Sequence, residues 1–149
     1  MNALKHLLVL ASLGSLIGLP VVAANLPGPV SYSPNDIKVL GTIDSGQTSP
    51  EVEYSRPGLY RAFVFEGHGK DCVDITVTGA DGRAFVALAD SSLTPIASGI
   101  GHLSVNLPYH GPDIEAFYIL LKPTSSRPAR FTVHLTKVPA SPKPVDATR

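Results

Sequence analysis

Polar and apolar residues alternate along much of this chain, and the alternation is cleanest in Cys72-Val73-Asp74-Ile75-Thr76-Val77-Thr78. Successive side chains of an extended strand point to opposite faces, so Val73, Ile75 and Val77 share one side while Asp74, Thr76 and Thr78 share the other. That pattern predicts a strand with one face in a core and one in water. Tyr60 to Glu66 is equally rich in aromatic and β-branched residues. There Phe63 and Phe65 predict the buried face, with Arg61 at its rim. Gly67-His68-Gly69-Lys70-Asp71 between the two runs carries turn chemistry and predicts a hairpin. Gly79-Ala80-Asp81-Gly82 predicts a further turn before a strand over Arg83 to Leu88.

The same reading extends in both directions. Asp36 to Ile43 predicts a first strand, Asp44-Ser45-Gly46-Gln47 a turn and Val52 to Tyr54 a short second strand, with Arg56-Pro57-Gly58 turning into Leu59. After Leu88, Asp90-Ser91-Ser92 predicts a turn, Thr94 to Ala97 a short strand, and Leu103 to Leu107 a strictly alternating one. Pro108 to Pro112 is a loop. Ile114 to Lys122 and Arg130 to Val138 form the last and longest pair, joined by Pro123 to Pro128, with Phe131, Val133 and Leu135 facing inward. Nearly every proline falls in a gap, where a missing backbone donor costs no ladder bond. No stretch beyond residue 24 combines a helical period with caps. The predicted fold is all-β: an antiparallel, jelly-roll-like β-sandwich of roughly eight or nine short strands.

The ends differ from this body. Residues 1–24 hold a basic start, an apolar run from Leu7 to Leu19 and the small residues Ala23 and Ala24, the layout of a cleaved secretory signal. Residues 25–35, with Pro27, Pro29 and Pro34, read as an extended lead-in. Residues 36–138 form the sandwich domain. Residues 139–149, with Pro142 and Pro144, read as a disordered tail with little to bury. These segments predict a secreted or periplasmic protein with no stable membrane insertion once the signal is removed.

Composition narrows the chemistry. Twelve basic residues balance twelve acidic ones, so charge provides no case for nucleic acid or an anionic membrane. The single Cys72 forbids an internal disulfide, and the core alone must hold an exported domain. Gly99-Ile100-Gly101 lacks the third glycine of a dinucleotide loop, and Gly67-His68-Gly69-Lys70 lacks the upstream glycine of a phosphate loop. No Gly-x-Ser-x-Gly elbow occurs. His68, His102, His110 and His134 have no ligand spacing, so they read as exposed or structural. Asp71, Asp74, Asp81 and Asp90 occupy turns and strand ends, as turn geometry favours; Asp71, Asp81 and Asp90 are the weak calcium candidates. No cofactor is expected apart from that calcium. Tyr109 and His110, in a loop between prolines, are the candidate contact residues.

The order of features from Ile37 to Val138 resembles the bacterial pre-peptidase C-terminal domain. The residues that carry the resemblance are Gly58-Leu59-Tyr60-Arg61-Ala62-Phe63-Val64-Phe65, Val73 to Val77, Phe85 to Asp90, Pro95-Ile96-Ala97, Phe117 to Leu121 and Arg130 to Leu135. The resemblance implies a small jelly-roll-like sandwich that follows secreted peptidases, some of which bind the polymer their enzyme degrades. Two departures stand out. A signal rather than a catalytic domain precedes the sandwich, which implies action alone or with a separate partner. Gly111-Pro112-Asp113-Ile114-Glu115 also replaces the usual tight glycine turn before the penultimate strand. No acidic motif here matches the family's calcium sites.

These features together predict a non-catalytic binding or accessory module. It would recognise a protein or extracellular polymer through Tyr109, His110 and an exposed sheet edge. The alternatives are a carbohydrate-binding module, and a small hydrolase if His68, His102 and an acidic residue converge on one cleft.

Overall fold

In the computed structural model, residues 31–54, 59–79, 84–125 and 127–141 are described. The signal expected at 1–24, most of the lead-in, the turns at 56–58 and 80–83 with Asp81, and the tail from 142 onward lie outside these residues. Among the described residues nine strands run from Ile37 to Val138: β1 (Ile37–Thr42), β2 (Val52–Tyr54), β3 (Tyr60–His68), β4 (Cys72–Gly79), β5 (Ala84–Ala89), β6 (Pro95–Ile100), β7 (His102–Asn106), β8 (Ile114–Pro123) and β9 (Ala129–Val138). They form a β-sandwich, with β1-β3-β8-β5-β6 in a five-stranded sheet and β2-β9-β4-β7 in a four-stranded one.

Each sheet contributes its inward positions to a common core. Val73, Ile75 and Val77 of β4, Phe131, Val133 and Leu135 of β9, and Phe63 and Phe65 of β3 are all buried there, joined by Phe117, Ile119 and Leu121 of β8. Full burial of such a side chain stabilises by roughly 1.5–3 kcal/mol, so the interlocked faces can hold the fold without a disulfide. Phe65 and Phe117 stack with centroids 5.6 Å apart. At the opposite end, Tyr54 donates its hydroxyl to the Leu59 carbonyl, and the Arg61 guanidinium lies 5.0 Å over its ring, at the rim.

The five-stranded sheet also buries part of its outer face. Ala62, Ala87, Ala89 and Leu120 point away from the main core, and Tyr32 of the lead-in covers them. The Tyr32 amide donates to the Leu93 carbonyl at 3.0 Å, and its ring meets Tyr60 edge-on at 5.2 Å. A strand buried on both faces loses its clean alternation, which is why Tyr60 to Glu66 is harder to read than Cys72 to Thr78.

Strand pairing departs from the sequence expectation. Gly67 to Asp71 does not close a hairpin: β3 pairs with β1 and β8, whereas β4 pairs with β7 and β9 in the other sheet. The same holds for Ile114–Pro123 and Ala129–Val138, which are sequence neighbours in opposite sheets. Of the consecutive strands only β5 and β6 pair directly. β1 runs parallel to β3, an exception in an otherwise antiparallel structure. Turn residues encode a change of direction, and neither of these pairings leaves a local trace.

Candidate functional site

One end of the sandwich gathers the exposed chemistry. Here the β3–β4 corner meets the Leu107 to Asp113 loop. The Lys70 amide donates to the Leu107 carbonyl at 2.9 Å, and the Leu107 amide donates to the Asp71 carbonyl at 2.8 Å. Asp71 is buried, and its carboxylate accepts the His68 amide at 2.9 Å. That oxygen closes the turn. Asp90 behaves alike, accepting the amides of Ser92 and Thr94 at 2.8 and 2.9 Å. Among the described residues no group of three or more histidine, cysteine, aspartate or glutamate side chains could hold a metal ion.

Tyr109 is the exposed centre of this end, with 58% of its surface open. Its position is nonetheless tightly defined. A β-carbon on Gly69 would lie 2.8 Å from both Cα and Cδ2 of Tyr109, so the loop seats against a residue that must be glycine. Beside it Lys70 takes a left-handed backbone, with φ of 76°, which costs a non-glycine residue about 1–2 kcal/mol. That conformation places Lys70 Nζ 4.8 Å from the Tyr109 ring centroid. His110 Nδ1 lies 3.0 Å from Glu115 Oε2, and Ile114 is 57% exposed. Tyr109 and His110 therefore share the end with Lys70, Ile114 and Glu115, which composition alone did not single out. Cys72 is exposed at the start of β4, opposite Asn106 and Val138.

The remaining histidines are divided between the sheets. His68 ends β3 in the five-stranded sheet, while His102 on β7 and His134 on β9 belong to the four-stranded one. His102 Nε2 lies 2.9 Å from Asp74 Oδ2, and His134 Nδ1 lies 2.9 Å from Thr48 Oγ1, both pairs on exposed surface. His68 and His102 thus stand in different sheets, and neither lines either of the two pockets on the five-stranded sheet.

Two open pockets lie on the five-stranded sheet. The smaller, of about 100 Å³, is lined by Pro34, Ile37, Val39, Leu93 and Tyr118. The larger, of about 280 Å³, is lined by Thr42, Asp44, Val64, Phe65, Glu66 and Ala116. It adjoins the Tyr109 end through strand register, since Glu66 pairs with Ala116 and the next two pairs are Gly67 with Glu115 and His68 with Ile114.

Of the outer strands β1, β2, β6 and β7, the first three are poorly suited to pairing. β1 carries a bulge between Val39 and Gly41, β2 has three residues, and β6 opens with Pro95. Bulges, short strands and edge prolines are the usual devices against strand addition.

No protein-family model matches the chain. No curated protein matches it either. Among solved structures, the crystal structure of PliG from Aeromonas hydrophila, a periplasmic inhibitor of g-type lysozyme, is similar with a TM-score of 0.49 and 9% identity. The match covers 67% of this chain and 99% of that one. Among the described residues, no helix is long and apolar enough to cross a membrane.

Proposed function

We propose that this chain is an exported, non-catalytic module of the pre-peptidase C-terminal type that binds a protein partner through the end carrying Tyr109. The observation that carries this reading is the seating of Tyr109, an aromatic ring left 58% exposed yet held by Gly69 and Lys70. Large aromatic residues displayed in a defined position contribute strongly to protein interfaces, because little conformational freedom remains to be lost on binding. Lys70 spends backbone energy to stand beside the ring, and such local strain concentrates at functional surfaces. The bulge of β1, the shortness of β2 and the proline of β6 favour loop contacts over strand addition at those three edges. The signal-like residues 1–24 support export, and the placement of His68 and His102 in different sheets, outside both pockets, supports a binding rather than a hydrolytic role.

The test is site-specific cross-linking in the exporting host. A photoreactive phenylalanine at position 109 or 110 should yield a discrete protein adduct, identifiable by mass spectrometry, that is missing when the same residue replaces Thr132 on the flat sheet face. Equal labelling from all three positions would refute the reading. Retention on insoluble polysaccharide that is lost on Tyr109→Ala would favour the carbohydrate-binding alternative instead.

A further inference from the structure

We infer that the pocket between Thr42, Asp44 and Glu66 receives a lysine or arginine side chain from the protein partner, an inference that rests on the binding role proposed for the adjoining loop end. The chemistry of the lining divides in two. Val64 and Ala116 provide apolar contact surface, whereas Asp44, Glu66 and the Thr42 hydroxyl are the groups that can accept hydrogen bonds from a cation. A basic side chain has the same division, with an aliphatic stem that packs on apolar surface and a charged head that does not.

At about 280 Å³ the open pocket has room for a single long side chain. Its carboxylates are also uncommitted. The ion pairs among the described residues use Asp74, Glu115, Glu51 and Glu53, not Asp44 or Glu66. The neighbouring cation, Lys137, donates its Nζ to the Glu66 main-chain oxygen at 2.7 Å and leaves that residue's carboxylate free.

Hydrogen bonds hold the backbone of the 43–47 segment, one side of the pocket, in place. The Asp44 amide donates to the Gln47 side-chain oxygen at 3.0 Å, and the Gln47 amide returns to the Asp44 carbonyl at 3.1 Å. The Ile43 amide donates to the Val64 carbonyl at 2.9 Å, tying this loop to β3. Ser45 adds a second tie, its hydroxyl accepting the Lys137 amide at 2.8 Å. A charge-assisted hydrogen bond to a carboxylate is about twice as strong as a neutral one. A bare divalent ion is a poorer fit, because the apolar half of the lining offers it no ligands.

The inference is tested on the full mature chain by amide NMR titration with N-acetyl-arginine amide, N-acetyl-lysine amide and N-acetyl-leucine amide. The basic probes should produce saturable shifts at Thr42, Asp44, Glu66 and Ala116, and the leucine probe should not. The double substitution Asp44→Asn with Glu66→Gln should weaken the basic probes at least ten-fold while the thermal midpoint stays in place, since both side chains are exposed. Absence of shifts, equal shifts with the leucine probe, or persistence of binding in the double variant would each overturn the inference. The cross-link from position 109 does not depend on these carboxylates for its chemistry, so its yield decides the loop-end reading separately.

Discussion

Gly69 and Tyr109 lie so close that the glycine has no room for a side chain: an added β-carbon would stand 2.8 Å from the tyrosine's main chain and its ring alike. Gly69→Ala should push the 107–113 loop outward and disperse Tyr109 without touching it chemically. The expected result is loss of the position-110 cross-link together with a cost of about 1–3 kcal/mol, the usual range for overpacking, read from the urea midpoint. Unchanged cross-linking would mean that the loop relaxes freely.

Lys70 allows the opposite experiment. Its left-handed backbone is one that glycine adopts without penalty. Lys70→Gly should therefore leave stability unchanged or raise it by up to about 1 kcal/mol, while the binding signal falls because the cation above Tyr109 is gone. A destabilised Lys70→Gly protein would show that the Lys70 side chain supports the fold instead.

Asp71 holds the corner from beneath. With its carboxylate removed in Asp71→Ala, the His68 amide loses its partner in a partly buried turn. Unsatisfied buried donors cost about 1–3 kcal/mol. Thermal unfolding should register that loss, and added calcium should not restore it, in the variant or in the parent. A calcium-dependent rise in the parent midpoint would instead revive the turn aspartates as ligands, since a ligand selective for the folded state must stabilise it.

Tyr32 covers the outer face of the five-stranded sheet, and Tyr32→Ala should cost about 3 kcal/mol, the lower end for losing a buried aromatic ring. Removal of the ring would uncover Ala62, Ala87, Ala89 and Leu120. The chromatographic check is whether this variant, unlike Tyr32→Phe, begins to self-associate or bind a hydrophobic dye.

Alkali should unfold the protein through the same contact. Tyr32 is held above the ordinary tyrosine value of 10.0 by burial first and then by repulsion from an ionised Tyr60. Tyr60 is raised by burial, then by Tyr54 and Asp36. Above pH 10 the unfolded chain releases these protons while the folded chain retains them, so stability is full below that pH and declines as it rises toward the folded-state values. Urea midpoints measured across this interval should fall, and Tyr32→Phe should flatten the decline. An equally steep fall in Tyr32→Phe would place its origin elsewhere.

Strand positions were legible wherever one face meets the core and the other meets water. Val73, Ile75 and Val77, like Phe131, Val133 and Leu135, declare their burial through alternation alone. Partners were not legible. The glycines and Asp71 of the 67–71 segment signal a turn, but whether the following strand folds back or crosses to another sheet depends on residues as distant as Val133 and Leu121. The parallel match of Ile37 with Tyr60 is equally silent. At the site, prolines flanking Tyr109 and His110 marked an exposed loop, as found. The pocket was hidden because Asp44 and Glu66 lie far apart in the sequence, on either side of β2, and each by itself is an ordinary surface acid.

The chain changes sheets at nearly every connection, and this has a kinetic consequence. Neither sheet can assemble from one continuous stretch: β3 waits for β8, and β4 waits for β9. Loop closure must precede most of the favourable contacts, which places such topologies among the slow two-state folders, on the order of milliseconds to seconds. The same interdependence leaves no half of the sandwich able to persist alone. A protease acting on an opened molecule would meet an unfolded chain rather than a stable fragment, and without a disulfide to retain the pieces, a single cut between the sheets would end the domain.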